Sequence, residues 1–198
     1  MKIAVIGATG TIGRSVADEL EKRGHEVVRA SRKSPIAVDI EEASSIEALF
    51  EGVPDLDAVV CCAGGAGWGP LSSLSDDVFT HSLHYKLMGQ VNVVRIAEKR
   101  LRDNGSITVT SGVLATKPMP GSAAVSLVNA GLEGFVRAAA LDMPRGIRVN
   151  VVSPPWVTET LRARKMDESI GSPAASVAKA YVSSVEGRTN GQVIQVPG

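Results

Sequence analysis

Apolar residues recur along this chain in two alternating rhythms: short unbroken runs, and longer stretches with helical spacing. Runs of the first kind at 3–6, 26–30, 36–38, 57–62, 106–110, 148–152 and 192–196 predict strands. Stretches of the second kind at 11–23, 44–50, 76–102, 122–143 and 174–184 predict helices. In the long helix 76–102, Val78, Leu87, Val91, Val94 and Leu101 fall on one broad face. Gly24 stands where a helix-ending glycine belongs, and Ser44 or Ser45 is placed to cap the second helix, which Gly52 and Pro54 close. Beyond Pro154 and Pro155 the pattern is irregular as far as residue 174. Apolar strands alternating with helices predict an α/β fold, a doubly wound sheet of about seven mainly parallel strands with helices on both faces. No repeat or low-complexity tract divides it, so residues 1–198 are expected to form one domain.

Chemistry enters at the end of the first run. Strand 3–6 passes directly into Gly7, Ala8, Thr9, Gly10, Thr11, Ile12 and Gly13, and a helix opens at once. Positions without side chains admit a pyrophosphate to the backbone N–H groups, and the helix N-terminus adds partial positive charge. The spacing is G-x-x-G-x-x-G rather than G-x-G-x-x-G, but its place after the first strand is the one a dinucleotide loop requires. The fold is thus expected to be Rossmann-like. Right-handed crossovers then bring Gly7, Gly64 and Ser111 to one edge of the sheet, where the ligand should lie.

Composition narrows the alternatives. Basic and acidic residues number 21 each and aromatics make up 4%, leaving neither a basic field nor stacking platforms for nucleic acid. Cys61 and Cys62 are the only cysteines; adjacent on a strand, they should face opposite sides, which excludes a disulfide framework. The first apolar run breaks at Gly7, too early for a signal peptide, and no segment is expected to reach transmembrane length. A reduced cytoplasmic setting is expected, with no metal site and no membrane or nucleic-acid partner.

Several segments together resemble the short-chain dehydrogenase/reductase family across essentially the whole chain. Val38-Asp39-Ile40 resembles the segment whose Asp meets the adenine ring. The strand from Asp57 to Gly64 resembles one ending in N-N-A-G, with Cys61 and Cys62 in place of both asparagines. Thr108 to Gly112 is similar to the strand carrying the family's catalytic serine, here Ser111. Arg148 to Pro154 matches R-V-N-x-V-x-P beside the nicotinamide, and Gly191 to Ile194 resembles the last strand. The resemblance implies a nicotinamide dinucleotide held by Gly7, Thr9, Gly10, Thr11, Ile12, Gly13, Ser31, Arg32, Asp39, Ile40, Cys62, Ala63, Gly64, Asn129, Pro154 and Val157. It also implies a homodimer through helices 76–102 and 122–143, where Ala138, Ala139 and Ala140 allow close approach. At the end of the second strand an acidic residue would favour NAD. Ser31, Arg32 and Lys33 stand there instead, and a guanidinium suits a 2′-phosphate, so NADP(H) is expected.

The resemblance breaks where the family keeps its proton machinery, a Tyr with a Lys four residues later. Register from Ala130 onward places Val125 and Asn129 at those positions. Val125 offers no proton, while Asn129 retains the ability to hydrogen-bond a ribose. Register against Leu87-Met88-Gly89 puts Lys86 where the family carries an Asn, so a desolvated Lys is expected near the nicotinamide pocket. Ser111 is expected to orient a substrate carbonyl. His81, His84 and Tyr85 are expected in surface or packing roles. Trp68 and Trp156 are candidates for lining an apolar pocket left open by a short 160–173 segment. Two functions follow: an NADP(H)-dependent oxidoreductase acting on a carbonyl or alcohol of a small-molecule substrate, or a non-catalytic dinucleotide-binding protein.

Overall fold

Seven strands form one parallel sheet in a computed structural model that describes residues 1–196. The strands are β1 (Lys2–Ile6), β2 (Glu26–Ser31), β3 (Ile36–Ala37), β4 (Ala58–Cys61), β5 (Ser106–Thr110), β6 (Arg148–Ser153) and β7 (Val193–Gln195). Their order across the sheet is β3-β2-β1-β4-β5-β6-β7, so the winding reverses between β1 and β4. A crevice opens beyond the strand ends at such a reversal.

Both faces are covered. Helices α1 (Thr11–Lys22) and α7 (Ala174–Glu186) pack on one side; α2 (Ala43–Gly52), α4 (Gly89–Arg100) and α5 (Ala123–Asp142) pack on the other. Strand alternation divides the core between these layers. Ile3 and Val5 of β1 face α1 and α7 while Ala4 and Ile6 face the opposite layer, and in β4 Ala58 and Val60 alternate likewise with Val59 and Cys61. Cys61 and Cys62 accordingly serve different layers and are both free thiols.

Two elements depart from the pattern read in the sequence. The long helix 76–102 is three segments: α3 (Asp76–Ser82), a π-helical turn over Leu83–Met88, and α4. The irregular stretch after Pro155 holds a short helix, α6 (Thr158–Ala163). Only Leu161 is buried on α6, too little apolar signal to stand out in sequence. Helix α2 begins after Glu42; Ser45 instead turns its hydroxyl to the Asp39 N–H at 2.9 Å. Gly24 does end α1, at φ +82° with its N–H on the Glu21 carbonyl.

Helix α5 corrects one expectation. Its 20 residues are long and apolar enough, by length and composition, to cross a membrane. Its inner face nevertheless packs into the core through Val128, Leu132 and Val136. The excess apolarity lies on the outer face, where Leu127, Ala130, Gly131, Gly134, Ala138 and Leu141 are exposed.

Candidate functional site

The glycine loop is built by close contact. Gly7 sits at φ +87°, and a Cβ there would lie 2.8 Å from the Ala63 backbone nitrogen, so only glycine lets β1 turn against the end of β4. Gly13 packs its bare face on the Gly7 carbonyl, which holds α1 against the loop. Gly10 caps α1 without any side-chain hydrogen bond, and the first turn carries no acidic residue. The positive end of the helix is therefore left for an external anion.

Beside this loop a cleft of about 370 Å³ runs toward β3. It is lined by Gly7, Thr9, Gly10, Ser31, Arg32, Lys33, Val38, Asp39, Ile40, Cys62, Ala63, Gly64 and Tyr85. Ser31 Oγ accepts the Lys33 N–H at 3.2 Å and Ser34 Oγ accepts the Ser31 N–H at 2.7 Å. These bonds brace the turn that carries Arg32 and Lys33. The Arg32 guanidinium lies 5.4 Å above the Tyr85 ring. Tyr85 and Val38 also line this cleft, although the sequence points Tyr85 only to a surface or packing role and Val38 only to a neighbour of Asp39. Tyr85 sits on the π-helical turn, stacked on His81 four residues earlier.

A second cleft, of about 180 Å³, lies beyond the ends of β5 and β6. Its walls are Ile12, Ser111, Gly112, Val113, Leu114, Asn129, Pro154, Pro155, Trp156, Val157 and Thr160. Of the two tryptophans considered for the pocket, Trp156 lines this cleft, and Trp68, which is not among its walls, meets Trp156 edge to face at 5.9 Å. Asn129 is 2% exposed; its Nδ2 donates to the Gly112 carbonyl at 3.4 Å, while its Oδ1 has no partner. A bare glycine loop, an uncompensated helix end and an orphaned amide oxygen fit a dinucleotide whose ribose hydroxyls donate. Thr11 and Gly13 line neither cleft: Thr11 is exposed at the start of α1 and Gly13 is buried under the loop. Arg148 sits at the far end of β6, bonded to the Ser184 and Val185 carbonyls at the end of α7.

Lys86 is buried, its Nζ donating to the Ser111 carbonyl at 3.4 Å and its side chain packed on Gly64. Among the described residues no carboxylate pairs with it. Burial pushes its pKa down to about 8, partly offset by the neighbouring Cys61 and Cys62. Burial also raises both thiols, Cys61 to about 12, so neither is a thiolate near neutral pH.

Ser111, expected to orient a substrate carbonyl, lines the second cleft and is hydrogen-bonded within the protein. Its hydroxyl donates to Glu133 Oε1 at 2.9 Å, and the other Glu133 oxygen faces Arg137 at 3.7 Å. To orient a substrate oxygen the Ser111 hydroxyl would have to turn away from Glu133 toward the second cleft, whose wall it shares. The next residue, Gly112, faces the Asn129 amide and brings no side chain.

An all-parallel sheet of this order, with a glycine loop at its winding reversal, defines a nucleotide-binding α/β protein. A family model described as enoyl-(acyl carrier protein) reductase matches residues 7–190, and the chain belongs to the short-chain dehydrogenase/reductase family. It is 28% identical to carbonyl reductase family member 4 of Danio rerio over 227 aligned residues, covering 98% of this chain and 95% of that one. The crystal structure of the protein lin1944 from Listeria innocua is similar at 38% identity and a TM-score of 0.94, with both chains covered completely. A small-chain dehydrogenase solved in complex with NADPH is similar at 26% identity and a TM-score of 0.87, covering 99% of this chain and 96% of that one. The family's named relatives are oxidoreductases.

Proposed function

We propose that the protein is an NADP(H)-dependent oxidoreductase interconverting a carbonyl and an alcohol on a small molecule. The observation that carries this reading is Lys86. It is a buried, unpaired cation with a lowered pKa, set between Gly64 at the dinucleotide cleft and Ser111 at the second cleft. The dinucleotide, when bound, would supply or accept the hydride. Arg32 and Lys33 would hold the 2′-phosphate, the glycine loop and the α1 N-terminus the pyrophosphate, and Asn129 Oδ1 a ribose hydroxyl. Ile12, Pro154 and Val157 would flank the nicotinamide. During reduction Lys86 would give its proton to the substrate oxygen, directly or through one water, and during oxidation take it back.

Binding and turnover test this directly. The purified protein is titrated with NADPH and NADH, then screened for nicotinamide oxidation with a panel of carbonyl compounds. Tighter NADPH binding and turnover are expected. Arg32→Ala should weaken NADPH far more than NADH; equal losses would remove the 2′-phosphate assignment.

A second reading, a dinucleotide-binding protein without catalysis, is favoured by one observation. Among the described residues no ionisable side chain lines the second cleft, and Val125 stands where the family has its proton donor. Tight NADPH binding with no turnover across the panel would select this reading.

We also propose that the protein forms a homodimer. The exposed apolar stripe of α5, with Met88 exposed on the adjoining turn, is the surface that a second copy would cover.

A further inference from the structure

We infer that Tyr85 is a specificity-determining residue, holding the Arg32 guanidinium across the adenosine cleft and thereby favouring a ligand with a 2′-phosphate. The inference rests on the proposed dinucleotide site and names a residue that neither the glycine loop nor the second-strand turn contains.

Arg32 and Tyr85 reach the cleft from opposite sides of the sheet's winding reversal. Arg32 follows β2, while Tyr85 comes from the π-helical turn between α3 and α4. Both line the 370 Å³ cleft, and the guanidinium carbon sits 5.4 Å from the ring centre. The ring is itself held. His81 stacks on it at 5.6 Å between ring centres, tilted by 33°, and the ring edge lies beside Gly65, where a Cβ would make ordinary contact 3.7 Å from Cε1. His81 in turn faces Glu41 Oε1 at 3.7 Å. Tyr85 is thus a fixed wall and Arg32 a movable arm resting on it.

An exposed arginine samples many rotamers, and ordering it on a phosphate costs that freedom. A quadrupolar ring face beneath the guanidinium removes part of the cost in advance, because it attracts the cation without using its N–H donors. Those donors stay directed toward whatever occupies the cleft. A dianionic 2′-phosphate gains from this placement, whereas a bare ribose hydroxyl pair does not. The discrimination therefore depends on the aromatic face, not on the phenol hydroxyl.

Calorimetric titration with 2′-phosphoadenosine 5′-phosphate and with AMP isolates the adenosine end from catalysis. The wild-type protein should prefer the 2′-phosphorylated ligand. Tyr85→Leu should weaken that ligand about threefold to fivefold, the size of an exposed cation–π contact, and leave AMP within about twofold. Tyr85→Phe should bind both like the wild type. In an Arg32→Ala background Tyr85→Leu should add nothing to the loss. Equal weakening of both ligands by Tyr85→Leu, a Phe variant behaving like Leu, or additive losses with Arg32→Ala would overturn the inference while leaving the dinucleotide site standing. Failure of the wild-type protein to bind either ligand would overturn the site and the inference together.

Discussion

Lys86 places a cation where the fold gives it almost nothing to bind, and its consequences are measurable in stability as well as rate. Its pKa of about 8 lies below the ordinary value of 10.5 because burial disfavours the charged form. Below pH 8 the folded and unfolded chains both carry the proton, and the whole penalty is present. Between pH 8 and 10.5 the unfolded chain holds a proton that the folded chain lacks, so folding gains as pH rises. Lys86→Met should therefore stabilise the protein at pH 7, by on the order of 3 kcal/mol, and the advantage should vanish above the unfolded pKa. Urea midpoints for both proteins at neutral and alkaline pH check this; an unchanged or lower midpoint at pH 7 contradicts a buried charged Lys. The same variant should lose about 10²–10⁴ in carbonyl reduction. In the wild-type protein kcat/KM for reduction should fall about tenfold per pH unit above pH 8, because the donor must be protonated. A flat profile excludes Lys86 as the proton source. Lys86 was legible in sequence because the Leu87-Met88-Gly89 register is local. The partner of Ser111 was not, since Glu133, which accepts its hydroxyl proton, lies 22 residues away in sequence.

Two neighbouring residues of the π-helical stretch Leu83–Met88 serve different chemistry, since successive helical side chains point apart. Tyr85 lines the dinucleotide cleft while Lys86 enters the interior toward β5. Such a stretch inserts an extra residue into helical phase, and these bulges occur often at functional sites. The sequence pattern could not reveal it, because apolar residues three or four apart fit either phase within a single turn. The strands were legible for the opposite reason: covered on both faces, they read as short, largely apolar runs. Among their buried polar residues is Thr110 on β5, whose Oγ1 donates to the Cys61 carbonyl at 2.7 Å and lies 2.8 Å from Tyr181 OH. With the threonine proton already used, Tyr181 is the donor of the second bond. Tyr181→Phe should cost about 1–2 kcal/mol by leaving that threonine lone pair unpaired, measured as a lower urea midpoint with unchanged slope. No loss would mean that the hydroxyl pair contributes nothing to docking α7 on the sheet.

At the scale of the molecule, the sheet order brings the glycine loop and the ends of β4, β5 and β6 to one edge, and alternation of strands and helices alone made that edge predictable. What alternation does not encode is the surface beyond the single chain. The outer stripe of α5 leaves Leu127 48% and Leu141 86% exposed, an arrangement that an isolated helix-covered sheet has no use for. Replacing both with Asp should shift the protein from dimer to monomer in sedimentation velocity while its far-UV circular dichroism stays unchanged. A wild-type protein that is already monomeric at micromolar concentration removes the proposed interface.

Trp68 and Trp156 are the only two tryptophans in the chain, and they stand edge to face, with Trp156 on the wall of the second cleft. All indole emission therefore originates at one place on the surface, beside the expected nicotinamide. The fluorescence of the unlabelled protein is a local optical reporter: a reduced nicotinamide arriving there would quench it by energy transfer, and an apolar ligand would shift its colour. The coupled pair should also give a far-UV exciton couplet in circular dichroism that Trp68→Phe abolishes. Substrates can thus be sought by light emission alone, before any turnover is detected.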